Sequence, residues 1–214
     1  MDNKNLIKEF PVTIYGNLTK YSKTISKARC RIFYKYDNRN GTYITDEFAE
    51  KLLSTIAYTP IKGIYEDWNK DYTDHGARRD EGRIYGIVPE QHNFAWEKHL
   101  DEDGVEREYA CVDVRLYCAI YKEAEEIINK SQSMELYEPS IQGSWKIING
   151  KKMFEFSDAC FLGLQVLGDD VEPCFEGAAF FNLYNSIKDL MKELENYSKQ
   201  LPNLKTGEKE MFNF

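Results

Sequence analysis

The chain has 214 residues, 42% of them hydrophobic and 30% charged, which supplies apolar material for one sizeable core and argues against a disordered chain. Acidic residues outnumber basic ones 36 to 28, and the net charge of -8 disfavours long-range attraction to nucleic acid or anionic lipid. The five cysteines include no Cys-x-x-Cys pair and fit reduced thiols in a cytosolic compartment, while neither an amino-terminal h-region nor an apolar run of about 18 residues predicts secretion or a membrane span.

Residues 9–15 (Phe10, Val12, Ile14) and 29–36 (Cys30, Ile32, Tyr34) alternate at period two and read as strands, with Gly16-Asn17 marking a turn between segments. Thr45 is placed to cap a helix whose first turn holds Asp46 and Glu47 and whose buried face holds Phe48, Leu52, Leu53 and Ile56. Pro60 and Gly63 close that unit. Residues 66–82 then read as a hydrophilic loop, long enough in a compact domain to be either functional or disordered. Arg83 to Val88 resumes an extended pattern.

From Arg107 to Cys118 the alternation sets Val112, Val114, Leu116 and Cys118 against Asp113, Arg115 and Tyr117, and Asp103-Gly104 predicts a hairpin turn back to residues 93–97. Ile120, Ala124, Ile127 and Ile128 recur at helical spacing and lead directly into Ser131-Gln-Ser-Met-Glu-Leu-Tyr137. As a strand, this run turns Met134 and Leu136 inward and leaves Ser131, Ser133 and Glu135 on the other face. Residues 153–164 read as a further strand, with Phe154, Phe156, Cys160 and Leu162 on the same face as Asp158. A carboxylate on an apolar face needs a dedicated partner. A turn-rich exit over 167–177 precedes a helical stripe of Leu183, Ile187, Leu190, Met191, Leu194 and Tyr197. Strands and helices do not alternate regularly, so the pattern predicts an α+β domain over residues 1–182, with a mostly antiparallel, partly closed β-barrel, followed by a C-terminal helix and tail over 183–214.

A serine hydroxyl becomes a nucleophile when a base takes its proton and a third group holds that base. Ser133 on its strand, His75 in the polar loop Asp71-Tyr-Thr-Asp-His-Gly-Ala-Arg-Arg-Asp80, and Asp158 are the candidates for nucleophile, base and orienting group. Ser131 shares the face of Ser133 and is the rival nucleophile; Asp74 rivals Asp158. The plainer readings are a solvent-facing strand serine, a surface-loop histidine, a carboxylate capping amides at a bulge, and a solvated basic pair at Arg78-Arg79. His92 and His99 flank Phe94 and Trp96, where packing is the simpler role. Neither a zinc-ligand spacing nor a phosphate-binding glycine loop occurs, so no metal or cofactor is expected.

The run Thr73-Asp-His-Gly-Ala-Arg-Arg-Asp-Glu-Gly-Arg-Ile-Tyr-Gly-Ile-Val-Pro-Glu90, with Ser131-Gln-Ser-Met-Glu-Leu and Phe156-Ser-Asp-Ala-Cys-Phe-Leu-Gly-Leu164, resembles the prohead maturation proteases of tailed bacteriophages, which belong with the herpesvirus assemblins. The resemblance spans about residues 28 to 182. It implies a herpesvirus-protease-like barrel surrounded by helices, a homodimer or higher homo-oligomer, and a serine endopeptidase that cleaves scaffold and itself during capsid maturation. His75, Ser133 and Asp158 occupy the places of the catalytic residues. The implied partners are phage scaffold and capsid proteins, without nucleic acid or membrane, in the host cytoplasm inside the procapsid. The C-terminal helix would lead towards a scaffold region. Backbone amides would hold the oxyanion, Gly143 and Ser144 being candidates. A non-catalytic capsid-assembly or scaffolding protein retaining the protease fold is the alternative.

Overall fold

Period-two alternation produces the strand on which the main sheet is built. In the computed structural model, which describes residues 19–76 and 81–181, β1 (Thr19–Lys20) turns back onto β2 (Ser26–Tyr34), and Ala28, Cys30 and Ile32 of β2 are fully buried. Tyr36, in the left-handed region at φ 79, redirects the chain into the hairpin of β3 (Tyr36–Asp37) and β4 (Thr42–Ile44). Thr45 then caps α1 (Asp46–Leu53), accepting the Phe48 amide at 3.1 Å, as the capping pattern predicted. Phe48 and Leu52 point into the core, and Phe48 stacks on Phe156 with ring centroids 5.1 Å apart.

The segment read as closing this unit is itself a strand, β5 (Pro60–Gly63), inside the main sheet; proline is tolerated because it stands at the strand's first position. Within the expected hydrophilic loop, β6 (Tyr65–Glu66) and β7 (Asp71–Tyr72) form a small hairpin. The strands β8 (Arg83–Ile87), β9 (Ala95–Leu100) and β10 (Glu106–Leu116) follow, and Gly104 takes the positive φ that the turn between β9 and β10 requires.

Where the spacing predicted a helix after residue 119, a 3-10 turn covers Lys122–Ile127; it buries Ala124 and Ile127 but leaves Ile120 70% exposed. The chain continues through β11 (Gln132–Leu136), a second 3-10 turn (Glu138–Ser140), β12 (Gln142–Ile148), β13 (Lys151–Asp158), β14 (Phe161–Val166) and β15 (Ala179–Phe181). The single strand expected over 153–164 is thus two, with a corner at Ala159-Cys160 that carries the chain from one sheet to the other.

The main sheet runs β1-β2-β10-β8-β5-β14-β11, with β9 beside β10 and β15 beside β2, and all its pairings are antiparallel except β14 with β5. Its ends approach each other: Ser131 bridges to Ala179, the Gln132 amide donates to Ala178 O at 3.0 Å, and the Phe180 amide donates to Lys130 O at 3.0 Å. The result is a mostly antiparallel, near-closed, barrel-like sheet, as the sequence pattern predicted in outline. Gln132 fastens the seam from inside. Its buried Nε2 donates to the carbonyls of Arg31 (3.1 Å) and Ile32 (2.7 Å), beside the point where the β2–β10 register slips. A smaller sheet, β12-β13-β4-β3, joins β13 and β4 in parallel. Among the described residues, helix is confined to α1 and the two 3-10 turns. The expected strand over 9–15 and the expected helix from Leu183 lie outside the described residues.

Candidate functional site

Strand β11 alternates as its sequence predicts. Gln132 is fully buried and Met134 and Leu136 pack against the core, so Ser131, Ser133 and Glu135 share the opposite face. On the neighbouring β14, Gln165 stands opposite Ser133 and Gly163 opposite Glu135, and on β5 Lys62 stands opposite Gln165. One polar wall therefore runs across three strands.

Lys62 crosses this wall diagonally, and its Nζ meets Glu135 Oε2 at 2.7 Å. The crossing passes over Gly163, where an added Cβ would lie 2.8 Å from Lys62 Cδ and 3.0 Å from Glu135 Oε2. Glycine leaves the room that the ion pair occupies. The second carboxylate oxygen, Oε1, lies 3.1 Å from His75 Nδ1. Side-chain exposures of 14% for Lys62, 18% for Glu135 and 40% for His75 place the pair in the wall and the ring at its mouth.

The His75 loop is held by the segments before it. Tyr72 is buried and its hydroxyl donates to Glu123 O at 2.7 Å. The Thr73 amide donates to Ile64 O (2.9 Å), and the Gly168 amide to Thr73 O (3.3 Å). Lys130 clamps the loop's base by pairing with both Asp71 (2.6 Å) and Asp169 (2.7 Å). A Cβ at Gly168 would collide with the Tyr72 carbonyl, so the approach of these two segments depends on glycine. Asp74, the rival acid, accepts the His75 backbone amide at 2.6 Å and so shapes the loop.

Burial raises the Glu135 carboxyl, but hydrogen bonds from His75 and Lys62, together with the Lys62 charge, outweigh it and hold the group below its ordinary range. Glu135 is therefore ionised near neutrality and can only accept. Nδ1 must carry the proton in their hydrogen bond, which in the neutral ring leaves Nε2 as the acceptor.

Ser133 lies two residues from Glu135 on this face, about 6–7 Å along the strand. Among the described residues its hydroxyl has no hydrogen bond, to His75 or to any other group. Asp158, expected beside the ring, ends β13 in the smaller sheet, opposite Gln142, and no hydrogen bond joins it to His75 or Ser133 among the described residues. It is partly exposed and ends its strand at the corner between the two sheets. Ser131 is engaged in the barrel seam. Gly143 and Ser144 belong to β12, opposite Phe156 and Glu155 in the smaller sheet. His92 hydrogen-bonds Glu90 O at 2.8 Å, and His99 stands 3.7 Å from Asp101, away from the Ser133 face. Among the described residues there is no group of three or more His, Cys, Asp or Glu side chains placed to hold a metal ion.

Sequence reasoning missed the parts played by Lys62 and Glu135. The parity that puts Glu135 beside Ser133 was readable, whereas Lys62 arrives through a parallel pairing that no local pattern announces.

These features define a barrel-like β domain with a histidine–carboxylate–lysine cluster on one wall, next to an unengaged strand serine. The chain belongs to the YonD N-terminal domain family, whose model matches residues 24–203. No curated protein and no solved structure matches it.

Proposed function

We propose that the domain is a serine endopeptidase in which Ser133 is the nucleophile, His75 the base, and Glu135 takes the orienting role that the sequence pattern gave to Asp158. The observation that carries this reading is the 3.1 Å contact between His75 Nδ1 and Glu135 on the face that also bears Ser133. With Nδ1 held, Nε2 accepts the hydroxyl proton as Oγ attacks the scissile carbonyl, and Glu135 stabilises the imidazolium that forms. The same proton then goes to the leaving amine, and a water repeats the sequence to release the acyl group. Lys62 keeps Glu135 ionised and fixed while the ring changes charge.

Likeness to prohead maturation proteases supports a substrate class of scaffold segments and the protease itself, cut inside a procapsid by a herpesvirus-protease-like homo-oligomer. A second reading, a non-catalytic capsid-assembly protein of the same fold, is favoured by the absence of a hydrogen bond between Ser133 and His75 among the described residues. Fluorophosphonate labelling of the full chain decides between them. The proposal expects one covalent adduct, at Ser133, that is lost in Ser133→Ala and much slowed in His75→Ala. No adduct, or an unchanged one in Ser133→Ala, would establish the non-catalytic reading or another nucleophile. Mass spectrometry of co-expressed scaffold then tests the substrate class.

A further inference from the structure

The smaller sheet ends in an unprotected edge. Six of the seven residues of β12 are exposed, Trp145 by 63% and Ile147 by 73%, and among the described residues no strand pairs with its outer side. Proteins ordinarily blunt such edges with proline, with bulges or with charges pointing outward. Here there is no proline, the only register shift falls at Gln142/Gly143, and the one charge, Lys146, is taken up by Glu155 at 2.5 Å. Alternate residues of β12 therefore present backbone N–H and C=O groups to solvent.

The apolar face of the hairpin continues outward from the core: Phe156 stacks on Phe48, Phe154 packs edge-on against Phe156, and Trp145 edge-on against Phe154. At the tip, Lys151 and Lys152 are exposed, and the Lys152 ammonium lies 5.0 Å from the Trp145 ring centroid. Residues 142–155 hold three lysines against one glutamate, in a chain of net charge -8. The hairpin is a local basic spot on an acidic protein.

We infer that β12 is a docking edge for an extended acidic peptide segment of a partner protein, whose backbone adds a strand beside β12 while its carboxylates meet Lys151 and Lys152 and its apolar side chains cover Trp145 and Ile147. Open backbone groups select a peptide strand over a lipid surface or a nucleic acid, and the surplus of lysine selects an acidic one. A second copy of this hairpin supplies the same surplus of lysine and no matching surplus of carboxylates. The inference stands apart from the catalytic reading, because β12 and Ser133 belong to different sheets.

The test is hydrogen exchange of the full chain with a blocked peptide of about seven residues that alternates glutamate with valine and carries two consecutive glutamates at the end beside the hairpin tip, one for each face. Amides of residues 142–148 become protected, and affinity falls about tenfold in Lys151→Glu/Lys152→Glu and again at high salt. A glutamate–proline peptide, which lacks alternate N–H groups, gives no protection. The inference is overturned if β12 stays unprotected, if the proline peptide or a lysine–valine peptide protects it equally, or if the charge-reversed variant binds unchanged. It is equally overturned if protection arises without peptide as protein concentration rises, which would identify a second copy, or only with anionic vesicles or a single-stranded oligonucleotide.

Discussion

Glu135→Gln isolates the charge on which the candidate site is built. The substitution keeps the size of the side chain and one acceptor oxygen but removes the ionised partner of Lys62 at 2.7 Å and of His75 at 3.1 Å. Hydrogen bonds to charged groups contribute about 1.5–3 kcal/mol each. Exposure of the His75 ring puts that contact at the low end, and the retained oxygen keeps part of the other, so the expected loss in unfolding free energy is about 1–3 kcal/mol near pH 7. The folded-state carboxyl lies below its ordinary value of 4.5, so the unfolded chain binds the proton more readily. The stabilisation is therefore complete above about pH 4.5 and disappears as pH falls through the lower folded value. Urea denaturation of wild type and variant across this range should show two curves that converge on the acid side, with unchanged m-values. A loss below about 0.5 kcal/mol near pH 7, or one that persists undiminished in acid, would refute the view of Glu135 as an ionised anchor.

Three further perturbations probe the parts that hold the site in place. Thr45→Ala removes the cap on Phe48 N and should cost about 1 kcal/mol in urea denaturation, with Thr45→Asp restoring most of it. Gln132→Leu leaves the Arg31 and Ile32 carbonyls without their buried donor; a loss of about 2–3 kcal/mol is expected, and faster amide exchange along the β11–β15 seam would locate it. Gly168→Ala forces a methyl group against the Tyr72 carbonyl and should cost about 1–3 kcal/mol while displacing the His75 ring, read as a change in its NMR chemical shifts.

Legibility in the sequence followed the range of the interactions. The Thr45 cap, the Gly104 turn and the β11 parity are settled by residues a few positions apart, and they came through. The strand Pro60–Gly63 did not, because four residues with a leading proline and a closing glycine carry no local strand signal; the sheet neighbours on both sides make it a strand. The predicted helix after residue 119 shrank to a 3-10 turn because the chain must reach the seam at Ser131, and burial of Ala124 and Ile127 is satisfied within one short coil. The grouping of Asp158 with Cys160 and Leu162 on one strand has a related source. Period-two alternation persisted through the corner at Ala159-Cys160, so a single parity joined residues of two different sheets. That His75 meets the face of Ser133 and Glu135 depends on how the segment after β7 packs on the sheet, a contact 60 residues apart that leaves no trace in any short window.

Closure also divides the labour along β11. Its first residues are consumed by the seam: Ser131 bridges to Ala179 and Gln132 reaches across to β2. Its later residues, Ser133 and Glu135, pair among the described residues with β14 and turn their side chains to the polar wall. A group that must be placed accurately is best carried by a rigid element, and β11 is rigid because its beginning is locked. The His75 segment is built differently: it follows β7 outside the sheet, is clamped at its base by Lys130 and Gly168, and meets the wall through the ring. The serine and the carboxylate are thus carried by the barrel, and the imidazole by the segment that follows β7. In the proposed mechanism it is the His75 ring that approaches Ser133, with the pairing of β11 and β14 unchanged.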